Sequence, residues 1–444
     1  MAGDRIESNA AADAPWHARL AALLTASGKH ESAAGHYRRA LRGLEEMASE
    51  DSPGDEAQQR KRRLQWQFEL AATEAKRGRR EDAIALYQEI LQTNPNCVEA
   101  QVNLAAQLAI ADVRRLEEAL ELCMRALTLR PDLAEAHYNR NMLLRRLGRQ
   151  SEAVNIYWDC LVRDLGANSV KGSMPQELVR AVFPNDEGRV PRMDKLTCTG
   201  SDTSCNQTSQ DDGVTVVCVK WGPKYGAEYV NRLFNSVMRH CGQVQVTFVC
   251  LTDNAEAIDL HENMKILPLD EGWRGWWNKC QLFSSSISAK FRALGHSRCM
   301  YLDLDTVIVG NLVDLLMWSP ALGVLTLLKT DQMTNEQRPG GFNSSIMVWH
   351  IGSIEGVPPL HFIHTFLHTN FDAVSKYIYK FDHWLEMAHP EACFLDDVFP
   401  DQIVEYRSID ERAEGPPPNT AIVCFPLIPK PHKASASWVV QHWK

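Results

Sequence analysis

The sequence lacks any uninterrupted apolar run near the roughly 18 to 20 residues that a membrane-spanning helix needs, so no transmembrane segment is expected. Its opening, MAGDRIESNAAADAPW, lacks the apolar core of a secretory signal and carries acidic residues, and the expectation is a cytoplasmic location. None of the 12 cysteines is spaced Cys-x-x-Cys, which argues against a zinc ribbon or a thioredoxin-like redox pair. The thiols are expected to be reduced and to pack as small apolar groups. Cys198 and Cys205, in a polar stretch, would pair only in oxidising surroundings, where the sequon at Asn206 would matter too. Basic charge is not in excess either: 47 Lys and Arg against 56 Asp and Glu give a net charge of −9. That balance disfavours a general affinity for nucleic acid or anionic membrane, so no nucleic-acid partner is expected.

What is present is an ordinary globular composition, 45% hydrophobic and 23% charged over 444 residues, enough for two or three domains each with a core. The N-terminal third is repetitive. Small residues recur at Ala33, Ala83, Ala119 and Ala153, each followed four residues later by Tyr37, Tyr87, Cys123 or Tyr157. From Ala83 the steps are 36 and then 34 residues, close to the period of helix-turn-helix arrays. Turn glycines stand at Gly28, Gly78 and Gly148, and prolines close units at Pro95 and Pro131.

These residues resemble the tetratricopeptide repeat (TPR). An extra segment, MASEDSPGDEAQQRKRR, separates the first unit from the second, and the third unit carries a two-residue insertion. The resemblance implies a helical solenoid over residues 14–165 whose concave surface takes a protein partner. Residues 166–213 are polar and turn-rich, and read as a linker with one short helix at PQELVRAVF.

After residue 213 the period changes. VTVVCV from Val214 reads as a buried strand, residues 229–241 as an amphipathic helix, and residues 246–251 as a second strand. A further strand is expected over residues 300–309, MYLDLDTVIV. Side chains two apart on a strand share a face, so Asp303 and Asp305 would converge on one hard cation. The alternation implies an α/β domain over 214–444 with a mostly parallel sheet, and ligands at its carboxyl edge.

Four features fall where a nucleotide-sugar site would need them. KWGPKYG offers Lys220 and Tyr225 beside glycines, and GWRGWWNKC offers Lys279, although Trp276 and Trp277 read equally well as sheet packing. The DLD pair follows, and GGFNSSIMVWH then places Asn343 and Ser344 at the head of an apolar strand behind Gly340 and Gly341.

Together these residues resemble the GT-A glycosyltransferases, notably the family-8-like enzymes and bacterial relatives, over about residues 214–444. The resemblance implies transfer of a sugar from a nucleotide-sugar donor, a UDP-sugar in the first place, to a protein or glycan acceptor. It implies Mn²⁺ or Mg²⁺ held by Asp303 and Asp305, Lys279 neutralising the departing diphosphate, and Asn343 on the donor sugar. Lys220, Tyr225, Ser344 and Lys430 would bind the nucleotide. Ser345 stands where the family has glycine, and Pro426 where relatives carry a metal-binding histidine, so His432 is the substitute ligand to consider. Asp382, Glu391, Asp396 and Asp397 are further acids by chemistry alone. Two other readings stay open. One is a repeat scaffold whose second domain binds without catalysis. The other is a phosphatase in which DLDTV supplies a nucleophile and an acid, with Asp396 and Asp397 as a later acidic pair.

Overall fold

The structure is a computed structural model, and it describes residues 10–47, 56–174, 213–331, 333, 341–353, 356, 359–410 and 413–444. The expected helix over 175–183, most of the expected linker, Cys198, Cys205, Asn206 and Gly340 lie outside these residues. Two compact units emerge, 1–147 and 148–444.

The first unit is built of antiparallel helix pairs: α1 (Ala10–Ala26) and α2 (His30–Met47), α3 (Glu56–Lys76) and α4 (Arg80–Thr93), α5 (Val98–Ala111) and α6 (Leu116–Leu129), then α7 (Ala134–Arg146). Ala33, Ala83 and Ala119 are fully buried, because a methyl group is all that fits where paired helices approach closely. Tyr37 and Tyr87 fill the next groove, each only 2% exposed. Gly28 and Gly78 adopt φ of +74° and +78°, the left-handed conformation that ends one helix and starts the next without a Cβ penalty.

The second unit opens with α8 (Gln150–Leu165), the last helix of the repeat pattern, and a short helix at Ala167–Ser173 where linker was expected. Among the described residues ten strands follow: β1 (Val214–Lys220), β2 (Val246–Thr252), β3 (Met264–Pro268), β4 (Arg298–Leu302), β5 (Thr306–Ile308), β6 (Leu325–Lys329), β7 (Phe342–His350), β8 (Cys393–Phe394), β9 (Ile403–Glu405) and β10 (Ile422–Cys424). Seven of them form a sheet of order β3-β2-β1-β4-β7-β6-β8, and β5-β10-β9 form a second, small sheet. The large sheet is mostly parallel, with β7 antiparallel to both β4 and β6.

The expected strands at 214 and 246 and the helix between them, α9 (Ala227–His240), are all present. Every residue of β1 is buried, as a central parallel strand covered on both faces requires. Val214, Val216 and Cys218 pack with α9 residues such as Leu233 and Val237. Val217 and Val219 share the opposite core with helices α10 (His361–Tyr377) and α11 (Phe381–Ala388), through Phe366 and Trp384.

Helix α8 belongs to that second core. Trp158 is fully buried, with its ring 5.5 Å from Phe366 and 6.1 Å from Trp384. Arg163 donates to the Tyr377 hydroxyl, which in turn donates to Asp164, both at 2.8 Å. Among the described residues, no helix is long and apolar enough to cross a membrane. Nine cysteines of the described residues are free, and all but Cys97 are buried.

Candidate functional site

In the large sheet β1 has β2 on one side and β4 on the other, so consecutive connections leave in opposite directions and a crevice opens at the carboxyl ends of β1 and β4. The chain brings its chemistry there. After β1 the sequence WGPKYG turns at Gly222, with φ of +59° and its N–H donating to Asp253 at 2.7 Å. That turn presents Lys224 and Tyr225 to the cleft.

The expected single strand over 300–309 is corrected by the structure: β4 ends at Leu302 and β5 begins at Thr306. The break has a topological cause. β4 is laddered between β1 and β7, whereas β5 pairs antiparallel with β10 in the other sheet, so the chain must turn between them. The Asp303 N–H still reaches the Ser345 carbonyl at 2.9 Å, and the Thr306 N–H returns to the Asp303 carbonyl at 3.2 Å. Asp303 and Asp305 therefore meet in one cleft through a turn, not through strand alternation.

Each carboxylate is matched to one lysine and one tyrosine. Lys279, buried in a 3₁₀ stretch over Gly275–Phe283, places Nζ 2.8 Å from Asp303 Oδ1 and donates to the Ser344 carbonyl and hydroxyl at 3.1 Å each. The Tyr301 hydroxyl donates to the same Asp303 oxygen at 2.5 Å. Lys430 Nζ lies 2.6 Å from Asp305 Oδ2, 2.5 Å from the Phe425 carbonyl and 3.1 Å from the Pro426 carbonyl. The Tyr225 hydroxyl donates to Asp305 Oδ2 at 2.7 Å. Burial first, and the neighbouring aspartates second, push both phenols far above the usual tyrosine range, so they remain donors at any ordinary pH.

The strand behind the cleft is held by α11. The Phe342 N–H donates to Glu386 at 2.8 Å and the Ser344 N–H to Asp382 at 3.0 Å. Asn343 accepts the Ser345 N–H on its own side-chain oxygen at 2.9 Å, an Asx turn at the head of β7.

Seven of the expected site residues thus line one cleft: Asp303, Asp305, Lys279, Asn343, Ser344, Tyr225 and Lys430. Two do not. Lys220 is buried and donates to the Asn254 carbonyl at 3.1 Å. His432 lies in the short turn Pro431–Lys433, its Nδ1 against the Tyr229 hydroxyl and its ring tilted on Trp443. Of the further acids, Asp382 lines the cleft, while Asp396 and Asp397 bind the main-chain N–H and ammonium of Lys329.

Sequence reasoning missed Tyr301, which reads as one more apolar strand residue; its spacing of two from Asp303 was the available signal. It also missed Cys424, directly opposite Thr306 in the β10–β5 register and buried. Burial and then Asp303 and Asp305 raise this thiol well above its ordinary value, so it is a neutral neighbour of the pair.

A resident Mn²⁺ or Mg²⁺ requires oxygen donors able to turn toward it, with water and substrate completing about six positions. The described residues contain no group of three or more His, Cys, Asp or Glu side chains able to hold a metal. Both aspartates are engaged by ammonium and phenol groups, and the Cys424 thiol is neutral. Both contacts of each carboxylate fall on one oxygen, Asp303 Oδ1 and Asp305 Oδ2, and the ammonium groups of Lys279 and Lys430 balance the two negative charges.

No family model matches the chain, and no curated protein matches it. Over parts of its length it is similar to solved structures. One is MamA, at 15% identity over 38% of this chain and 78% of that one, TM-score 0.28. Another is a thermophilic TPR protein of Thermus thermophilus, at 20% identity over 38% and 79%, TM-score 0.26. A third is the galactosyltransferase LgtC in complex with donor and acceptor sugar analogues, at 13% identity over 51% and 93%, TM-score 0.33.

Proposed function

We propose that the second unit transfers a sugar from a nucleotide-sugar donor to an acceptor hydroxyl, and that the helical repeats bind a protein, either the acceptor or an assembly partner. The observation that carries this reading is the cleft at the carboxyl ends of β1 and β4, where Lys279 and Lys430 are held by Asp303 and Asp305. In such a transfer the bond from the anomeric carbon to the diphosphate oxygen breaks, and its electron pair leaves with the diphosphate. The acceptor oxygen forms the new bond and releases its proton to water, so the products are the glycoside, the nucleoside diphosphate and a proton. Negative charge grows on the leaving group, so fixed ammonium groups stabilise the transition state more than the ground state. Asn343, with Ser344 beside it, is assigned to the donor sugar, and Tyr225 and Lys224 to the nucleotide side of the cleft.

Release of nucleoside diphosphate from a panel of UDP- and GDP-sugars tests this. Turnover of at least one donor supports it. Nucleotide binding without turnover would leave only a binding scaffold, and phosphate release from simple esters would favour the phosphatase. The position of Asp396 and Asp397 on Lys329, outside the cleft, already weighs against the last.

A further inference from the structure

Resting on that reading, we propose that the cleft binds the diphosphate of its donor without a divalent cation, the ammonium groups of Lys430 and Lys279 taking the charge-neutralising place. Lys430 is the centre of the inference. An ammonium has three N–H donors, and those of Lys430 go to Asp305 Oδ2, the Phe425 carbonyl and the Pro426 carbonyl. Two of these acceptors are main chain, so the positive charge stays beside Asp305 whatever the carboxylate does. Lys279 is anchored likewise, by the Ser344 carbonyl and hydroxyl as well as by Asp303. A divalent ion coordinated by Asp303 and Asp305 would sit against two fixed positive charges, in a cleft where screening by water is weak.

The charge balance of the lining points the same way. Four lysines face it, Lys224, Lys279, Lys380 and Lys430, against three aspartates, Asp303, Asp305 and Asp382. A site that gathers a metal through carboxylates carries an acidic excess for the metal to neutralise. This one carries a basic excess that suits an anion directly. Tyr225 and Tyr301, which remain protonated donors, spend further lone pairs of the two carboxylates. The described residues contain no group of three His, Cys, Asp or Glu side chains placed to hold one ion.

The test is calorimetric titration of UDP into the full-length protein, once in EDTA and once with saturating Mn²⁺, together with titration of Mn²⁺ alone. The expected result is a UDP dissociation constant that differs by less than about threefold between the two conditions, and no saturable Mn²⁺ binding to the free protein. Lys430→Ala is expected to weaken UDP in EDTA by about tenfold or more, with Lys430→Arg recovering most of the loss because it restores the charge. UDP binding that appears only with Mn²⁺, or tightens by about tenfold or more with it, would overturn the proposal while leaving the glycosyltransferase reading in place. UDP binding in neither condition would overturn both. The comparison on the parent protein needs no variant to fold.

Discussion

At the scale of the residue, the site is a set of pairings that sequence could supply only in part. Lys279, Asp303, Asp305 and Asn343 were legible because each stands out from an apolar or aromatic context. Lys430 was legible as a basic residue near the site, but not as the partner of Asp305, since that contact spans 125 positions. His432 was the natural substitute for a missing ligand until the chain placed it on Tyr229. Another histidine gives a residue-level prediction. His389 Nε2 accepts the Leu325 N–H at 3.2 Å, and burial lowers its pKa to about 4 from an ordinary 6.5. The folded state therefore prefers the neutral ring. That stability is complete above pH 6.5 and is lost as pH falls toward 4, by about 3 kcal/mol in all. Thermal melts at pH 7.5 and pH 5 should show a smaller acid-induced fall in His389→Gln than in the parent, and equal falls would refute the assignment.

At the scale of the element, α8 carries the clearest lesson. Its Ala153 and Tyr157 keep the repeat spacing, so periodicity assigns it to the solenoid, yet it packs in the core of the second unit. The signal that separates it was one position away. Arg38, Gln88 and Met124 follow the repeat aromatic or cysteine in the first three units and are not buried, whereas the equivalent residue in α8 is the fully buried Trp158. Trp158→Ala removes a side chain that touches Phe366 and Trp384, and should cost about 3 to 5 kcal/mol. Denaturation should show that loss with donor turnover falling alongside, and a change under about 1 kcal/mol would mean that α8 is peripheral. The DLD turn shows the converse limit. An apolar run interrupted by two acids reads as one strand, because nothing local reveals that its two halves pair in different sheets.

At the scale of the whole molecule, the order of helical repeats before an α/β unit was readable because the helical repeat spacing gives way near residue 214 to short, continuous apolar runs on either side of an amphipathic helix. The cleft followed from strand order rather than from any one motif, since β1 and β4 lie side by side and run parallel. A division of labour between the units has its own test. Deleting residues 1–147 should spare hydrolysis of the donor and impair transfer to the natural acceptor, and an equal loss of both would contradict a recruiting role for the repeats.

The central claim concerns the charge that Lys279 places on a departing diphosphate. Its most direct measurement is the rate of nucleoside diphosphate release from the best donor of the panel, parent against Lys279→Met, with circular dichroism confirming that the variant is folded. A fall in kcat of about 100-fold or more is the predicted result. A folded Lys279→Met variant that releases nucleotide at the parent rate would contradict the account.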